Sequence, residues 1–126
     1  MASEQVELVR NAVETLIAGD VEGAIAYGHA DVLVRTPISE YRGHEGFRDW
    51  WRDMNGQFDS FAIEPHDYIE DDDAVIVPMT LSGRGAGSGA EVSANIFVRY
   101  TVSNGLVSAI DTFFSLEDAR TGPGRT

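Results

Sequence analysis

The chain reads as an α+β domain in which helices lead and a sheet closes, and three observations carry that reading. Apolar residues recur at spacings of three and four through the first part of the chain, the period shortens toward two from Ser60 on, and Ser103-Asn104-Gly105 marks a hairpin between alternating runs. With 126 residues, 43% of them hydrophobic and 10% aromatic, there is enough apolar surface for one core. A single domain over 1–120 and a flexible tail at 121–126 are expected.

Val6, Val9, Val13, Leu16 and Ile17 share one helical face, with Ser3 as N-cap and Gly19 just past the end. Asp20 caps a shorter second helix whose inner face is Val21, Ala24, Ile25 and Gly28. The chain turns through His29-Ala30-Asp31, and a strand at 32–36 runs until Pro37 stops it. After an extended piece around Tyr41, Gly43 and Gly46 bracket the start of a third helix, on which Phe47, Trp50, Trp51, Met54 and Phe58 share a face. Four strands follow near 60–69, 74–82, 91–102 and 106–115, an antiparallel meander punctuated by Glu70–Asp73, the glycine-rich run Gly83–Gly89 and Asn104-Gly105. Pro78 has no N–H to give a ladder, so it predicts a bulge or an edge position within the second of these strands.

Alternation assigns the faces of that meander. Val75, Val77, Met79 and Leu81 turn toward the helices, together with Ala94, Ile96, Val98 and Tyr100 and with Ile110, Thr112 and Phe114. Phe97 and Phe113 turn the other way. Two phenylalanines on the outer face of neighbouring strands make an apolar patch, which predicts a homodimer through the sheet.

Composition narrows the chemistry. Acidic residues outnumber basic ones 21 to 9, for a net charge of −12, and all nine basic residues are arginine. Without lysine there is no lysine Schiff base, and without cysteine no thiol nucleophile, disulfide framework, cysteine-bound zinc or iron–sulfur cluster. The acidic balance argues against nucleic acid and anionic membrane as partners. Glu4, Glu7 and Glu14 interrupt the N-terminal stretch, and no apolar run approaches a membrane span, so a cytoplasmic protein is expected. His29, His44 and His66 lack metal-ligand spacing, Glu70–Asp73 lacks the pattern of a calcium loop, and Ser88 interrupts any dinucleotide-binding glycine motif. Neither a metal nor another cofactor is expected.

Three helices followed by a curved sheet, with Ala18-Gly19-Asp20, Asp31-Val32 leading to Thr36-Pro37, Gly43-x-x-Gly46 and Asn104-Gly105-Leu106-Val107, resemble the nuclear transport factor 2-like superfamily. The resemblance is nearest to its SnoaL-like branch and spans about Gln5 to Ala119. It implies a cone: three N-terminal helices packed on a curved antiparallel or mixed β-sheet that encloses an apolar pocket. It is specific for fold and nearly silent on activity, since relatives include ketosteroid isomerases, scytalone dehydratases, limonene epoxide hydrolases, polyketide cyclases and plain binding proteins. Position by position, Thr36 stands where the isomerases carry their catalytic aspartate. Ala12 and Asn95 or Ile96 stand where the isomerases carry their hydrogen-bond donors. Val75 to Met79 and Thr112 occupy the places of the epoxide hydrolases' arginine and aspartates, and 74–82 and 91–102 hold none of the dehydratases' histidines. No residue is assigned to the cyclases' acid–base aspartate.

The candidate catalytic residues are Asp67, His66 and Tyr100. Unbroken alternation puts Phe61, Ile63, Pro65, Asp67 and Ile69 on one face, where burial would raise the Asp67 pKa toward that of a usable base. Pro65 is able to break that register and leave Asp67 solvated, and His66 alternates with it, so one of the two faces in and the other out. Tyr100 and Thr112 are polar members of an apolar stripe, suited to orienting a substrate oxygen. Trp50 and Trp51 offer flat apolar area for a ring-shaped ligand. The resemblance implies that Tyr27, Thr36 and Tyr41 lie near the pocket mouth, and Phe47, Met54, Val77, Met79, Ile96, Val98, Ile110 and Phe114 complete the expected lining.

The expected function is a pocket for a largely apolar polyketide-, terpenoid- or steroid-like molecule. Two readings stay open: a cofactor-free isomerase, cyclase, dehydratase or hydrolase working by acid–base catalysis, or a non-catalytic ligand-binding or dimeric scaffold domain. A carboxylate or imidazole buried in the pocket favours the first, a pocket holding only hydroxyls the second.

Overall fold

The computed structural model describes residues 3–122. Ser3 caps α1 (Glu4–Ile17) as expected, its hydroxyl accepting the Val6 N–H at 3.2 Å, and Val6, Val9, Ala12, Val13 and Leu16 are buried beneath it. Asp20 caps α2 (Val21–Ile25) through the Gly23 N–H at 2.9 Å. Gly28 lies outside that helix and opens β1 (Gly28–Arg35), which is followed by β2 (Glu40–Arg42). At the start of α3 (Gly43–Gln57), Gly46 lies so close to Tyr41 that a Cβ would come within 3.1 Å of its backbone. Phe58 leaves the helical face predicted for it and begins β3 (Phe58–Pro65).

The strand expected at 60–69 is two strands, β3 and the short β4 (Ile69–Asp71). Then come β5 (Ala74–Gly85), β6 (Glu91–Ser103) and β7 (Leu106–Phe113), followed by α4 (Leu116–Thr121), which the period-two reading missed. Its local signal is Ser115, whose hydroxyl accepts the Asp118 N–H at 3.1 Å. Thr121 closes this helix and Gly122 caps it, so the expected tail is partly ordered helix; 123–126 lie outside the described residues.

The sheet runs β2-β1-β7-β6-β5-β3, with β4 also paired to β5. It is mixed, because β1 and β7 pair in parallel while the other pairs are antiparallel. The predicted faces hold: Val75 lies opposite Tyr100, Val77 opposite Val98, Met79 opposite Ile96 and Leu81 opposite Ala94, while Tyr100 faces Ile110 and Val98 faces Thr112 across the next ladder. Of these inward residues Val75, Val77, Met79, Val98, Tyr100 and Ile110 form the core with α1, α2 and Phe47 of α3. On the outward side Phe97 lies opposite Phe113 and Arg99 opposite Asp111, and α4 packs across β5, β6 and β7. No helix among the described residues is long and apolar enough to cross a membrane.

Candidate ligand-binding site

The break between β3 and β4 decides which polar groups reach the interior. Pro65 pairs with Met79 and Ile69 with Ile76, so four residue steps on one strand oppose three on the other. One residue is bulged out, and parity changes across it. Tyr68 therefore takes the inward position that unbroken alternation assigns to Asp67. Pro78 sits opposite the break: its carbonyl accepts the His66 N–H at 2.8 Å, so its missing N–H falls on the same side, where the ladder is interrupted. Of the two roles predicted for Pro78, the bulge is the one found.

Two of the three catalytic candidates thereby leave the interior. Asp67 is exposed, and its Oδ1 accepts the neighbouring Tyr68 N–H at 2.8 Å. His66 is also exposed, with Nε2 at 2.6 Å from the Thr80 hydroxyl on the outward side. Thr80 donates its one proton to Asn95 Oδ1 at 3.0 Å, which leaves His66 Nε2 as the donor to it. Tyr68 packs on the core beneath α1, with the Arg10 guanidinium 4.7 Å from its ring centroid and its hydroxyl buried without a hydrogen-bond partner. Burial, assisted by Glu14, pushes its pKa up.

Between the helices and the inward face lies a cavity of about 170 Å³. Val13, Leu16 and Ile17 of α1, Trp50 and Met54 of α3 and Ile63 of β3 form one wall; Met79, Leu81, Ile96, Val98 and Tyr100 form the other. Thr36, Thr112 and Phe114 complete the lining. Past Leu16, Trp50 and Tyr100 a narrow lobe of about 20 Å³ continues among Tyr27, Phe47, Val32 and Ile110. Of the predicted lining residues, Thr36, Trp50, Met54, Met79, Ile96, Val98, Tyr100, Thr112 and Phe114 stand at the main chamber and Tyr27, Phe47 and Ile110 at the lobe. Ile17 and Phe114 are 44% and 66% exposed, marking the mouth.

Three expected lining residues are elsewhere. Val77 is fully buried within the core, Tyr41 donates its hydroxyl to Asp53 at 2.8 Å near the surface, and Trp51 turns outward, its ring edge-on to Phe61 at 5.3 Å. The rotation of α3 explains the last: Trp50 and Met54, four apart, take the cavity side, and Trp51 falls on the flank. Conversely Val13, Leu16, Ile17, Ile63 and Leu81 line the site without having been singled out for it. Their signal was the same apolar periodicity that marks core.

Hydroxyls and the Trp50 indole are the polar groups of this lining. Thr36 Oγ1 is engaged with Ser39 Oγ at 2.7 Å and accepts the Ser39 N–H at 3.0 Å, which holds the turn after β1. Tyr100 is 6% exposed, and burial pushes its hydroxyl pKa well above the ordinary value, so it is a neutral donor near pH 7. The buried carboxylate of the molecule is on the other side of the sheet. Asp111, 2% exposed, pairs with Arg35 through Nε at 2.6 Å and Nη2 at 3.3 Å. Burial raises its pKa against the pull of Arg35 and, more weakly, Arg99. Arg99 itself ties Asp71 to the Ala119 carbonyl of α4, each at 3.0 Å. His29 and His44 reach the Ser103 and Gly28 carbonyls, and the described residues hold no cluster of three or more metal-ligating side chains.

The architecture has close counterparts. Over 90% of this chain and 92% of the other, it is similar to a nuclear transport factor 2-like protein of unknown function from Burkholderia pseudomallei, with a TM-score of 0.82 at 18% identity. The same coverage, a TM-score of 0.80 and 19% identity relate it to TerC co-crystallised with polyporic acid. A protein of ketosteroid isomerase-like fold from Catenulispora acidiphila, in complex with trimethylamine, matches 95% of this chain and 94% of its own with a TM-score of 0.76 at 11% identity. Such identities speak to fold alone. Among curated proteins none matches the chain in sequence. The SnoaL-like domain model matches residues 9–110, and with the helices, mixed sheet and cavity in the arrangement described, the chain belongs to the SnoaL-like domain family.

Proposed function

We propose that this domain binds one small, neutral, largely apolar molecule between its helices and sheet, with an oxygen of that molecule held by Tyr100, and that binding rather than acid–base chemistry is its work. The observation that carries this reading is the cavity lining: apolar side chains with the hydroxyls of Thr36, Tyr100 and Thr112 and the Trp50 indole as the polar groups, while Asp67, His66 and Asp111 lie outside it. Acid–base catalysis needs a titratable group within hydrogen-bond reach of the substrate. Tyr100, its pKa raised, donates a hydrogen bond without shuttling a proton near neutrality. A charged ligand would enter without a counter-ion and lose its hydration.

Size refines the ligand. A dry cavity of about 150 Å³ accommodates benzene, so the 170 Å³ here encloses about one ring. A polyketide-, terpenoid- or steroid-sized molecule has to extend through the mouth between Ile17 and Phe114. That TerC was crystallised with polyporic acid and the Catenulispora protein with trimethylamine supports a small-molecule role for this architecture.

Calorimetric titration with toluene and with anisole, a ring bearing one acceptor oxygen, tests the reading. Both are expected to bind, anisole more tightly, and Tyr100→Phe is expected to remove an advantage of about fivefold, the ~1 kcal/mol net worth of one neutral hydrogen bond. Failure of both rings to bind overturns it. On the outward side, the facing Phe97 and Phe113 support a further proposal, that two copies pair through the sheet.

A further inference from the structure

Beside the cavity lies a groove of about 570 Å³ that the proposed ligand site does not use. It is bounded by the end of α1, the flank of α3 and the first half of β3, and it shares Leu16, Ile17 and Ile63 with the cavity. The two therefore meet across one apolar sill. Trp50 stands on the cavity side and Trp51 on the groove side, ring centroids 5.6 Å apart. Trp51 in turn meets Phe61 edge-on at 5.3 Å, and Phe61 meets Phe58 at 5.7 Å. These half-buried rings, Phe61 inclined by 66° to Trp51 and by 45° to Phe58, form an angled aromatic wall of the groove, and Asn55, Asp59 and Ser60 stand exposed along its edge.

We infer that the groove is a second subsite, taking a hydroxylated ring of the saccharide class joined through an oxygen to the apolar ring that fills the cavity. The inference rests on the reading of the cavity as a binding site. A pyranose has a C–H face that packs on an aromatic ring and a rim of hydroxyls that exchange hydrogen bonds with an amide, a carboxylate and a hydroxyl. Asn55 already donates to the Trp51 carbonyl at 2.8 Å, but an alkyl or aryl extension would cover its amide oxygen, Asp59 and Ser60 without giving them partners, which costs free energy. An anionic extension would meet Asp59 with no arginine in the lining. The groove thus differs from the cavity in the sense that a two-part ligand requires: apolar inside, hydroxylated outside.

Anisole and phenyl β-D-glucopyranoside share the phenyl ring and the ether oxygen, so their affinities isolate the contribution of the sugar. Calorimetric titration of the wild-type protein is expected to show the glucoside binding at least tenfold more tightly than anisole. In Trp51→Ala that ratio is expected to fall to about one, and in Asn55→Ala, a change at an exposed position, to fall part of the way; thermal melts confirm that each variant is folded. A glucoside no tighter than anisole, or a ratio untouched by Trp51→Ala, overturns the subsite while leaving the cavity reading in place. Phenyl hexyl ether matching the glucoside, with its gain lost in Trp51→Ala, overturns the saccharide class. Binding of neither anisole nor the glucoside overturns both readings together.

Discussion

The two faces of the sheet are built by the same strands from alternating residues, yet they carry opposite chemistry. The inward face presents Met79, Ile96, Val98, Tyr100 and Thr112 to a cavity, with hydroxyls as its polar atoms. The outward face carries the Arg35–Asp111 ion pair, Arg99 bonded to Asp71 and to the Ala119 carbonyl of α4, and the Phe97–Phe113 pair. A one-residue step along any strand moves from one environment to the other. A buried, pKa-shifted carboxylate is therefore not by itself a sign of catalysis. Among the described residues Asp111 is the most buried charged group, and its hydrogen bonds tie β7 to the neighbouring β1.

Perturbing the outward face should give the largest effects. Phe113→Glu places a charge in the proposed sheet-to-sheet contact, so light scattering should report conversion of dimer to monomer; a monomeric wild-type protein would remove that contact from consideration. Asp111→Ala should cost about 2 kcal/mol in urea unfolding at pH 7, because two charge-assisted hydrogen bonds are lost while Arg35, 31% exposed, turns to water. Ring-ligand affinity in the folded variant should not move. Titration sharpens the same point. Because the Asp111 pKa is raised on folding, the protonation-linked part of its contribution to stability is whole below the unfolded value near 4 and is lost as pH rises through the folded one. The stability of the wild type relative to Asp111→Asn should therefore decline from about pH 4 upward, and a rising difference would contradict the burial argument.

The inward face should respond in the opposite direction. Tyr100→Phe removes a hydroxyl at the cavity wall, the proposed ligand contact, so thermal unfolding of the free protein should show no loss and up to about 1 kcal/mol of gain, even as oxygen-bearing ligands are expected to bind less well. A clear loss would mean that the hydroxyl already has a structural partner. The smallest effects belong to Asp67→Asn and His66→Gln. The amide oxygen introduced by the first would still accept the Tyr68 N–H, and position 66 faces solvent, so stability should stay within about 0.5 kcal/mol and ring affinity should be unchanged. A tenfold loss of affinity in either variant would return an acid–base group to the site.

Much of this architecture was legible along the chain. Ser3 and Asp20 announce their helices through side-chain caps, and the faces of β5, β6 and β7 follow from alternation because those strands are joined by hairpins whose registers run on almost unbroken. Three features were not. The short α4 hides in a stretch whose alternation extends the preceding strand, with cues confined to its ends: Ser115 as N-cap, Glu117 and Asp118 in the first turn, Arg120 in the last and Gly122 as C-cap. The parallel pairing of β1 with β7 joins segments more than seventy residues apart and leaves no local pattern. The placement of Asp67 depends on a bulge set by Pro78, a residue on the neighbouring strand.

Backbone periodicity and side-chain identity are local, and they were enough to order the helices and strands, to make the inward face apolar and to exclude lysine and cysteine chemistry. Packing was needed for the rest: Tyr68 rather than Asp67 turns inward, Trp50 and Trp51 serve different surfaces, and the buried carboxylate is Asp111 beside Arg35, across 76 positions of chain. Burial and register are properties of a residue's partners, and those partners are brought to it by packing rather than by nearness in sequence.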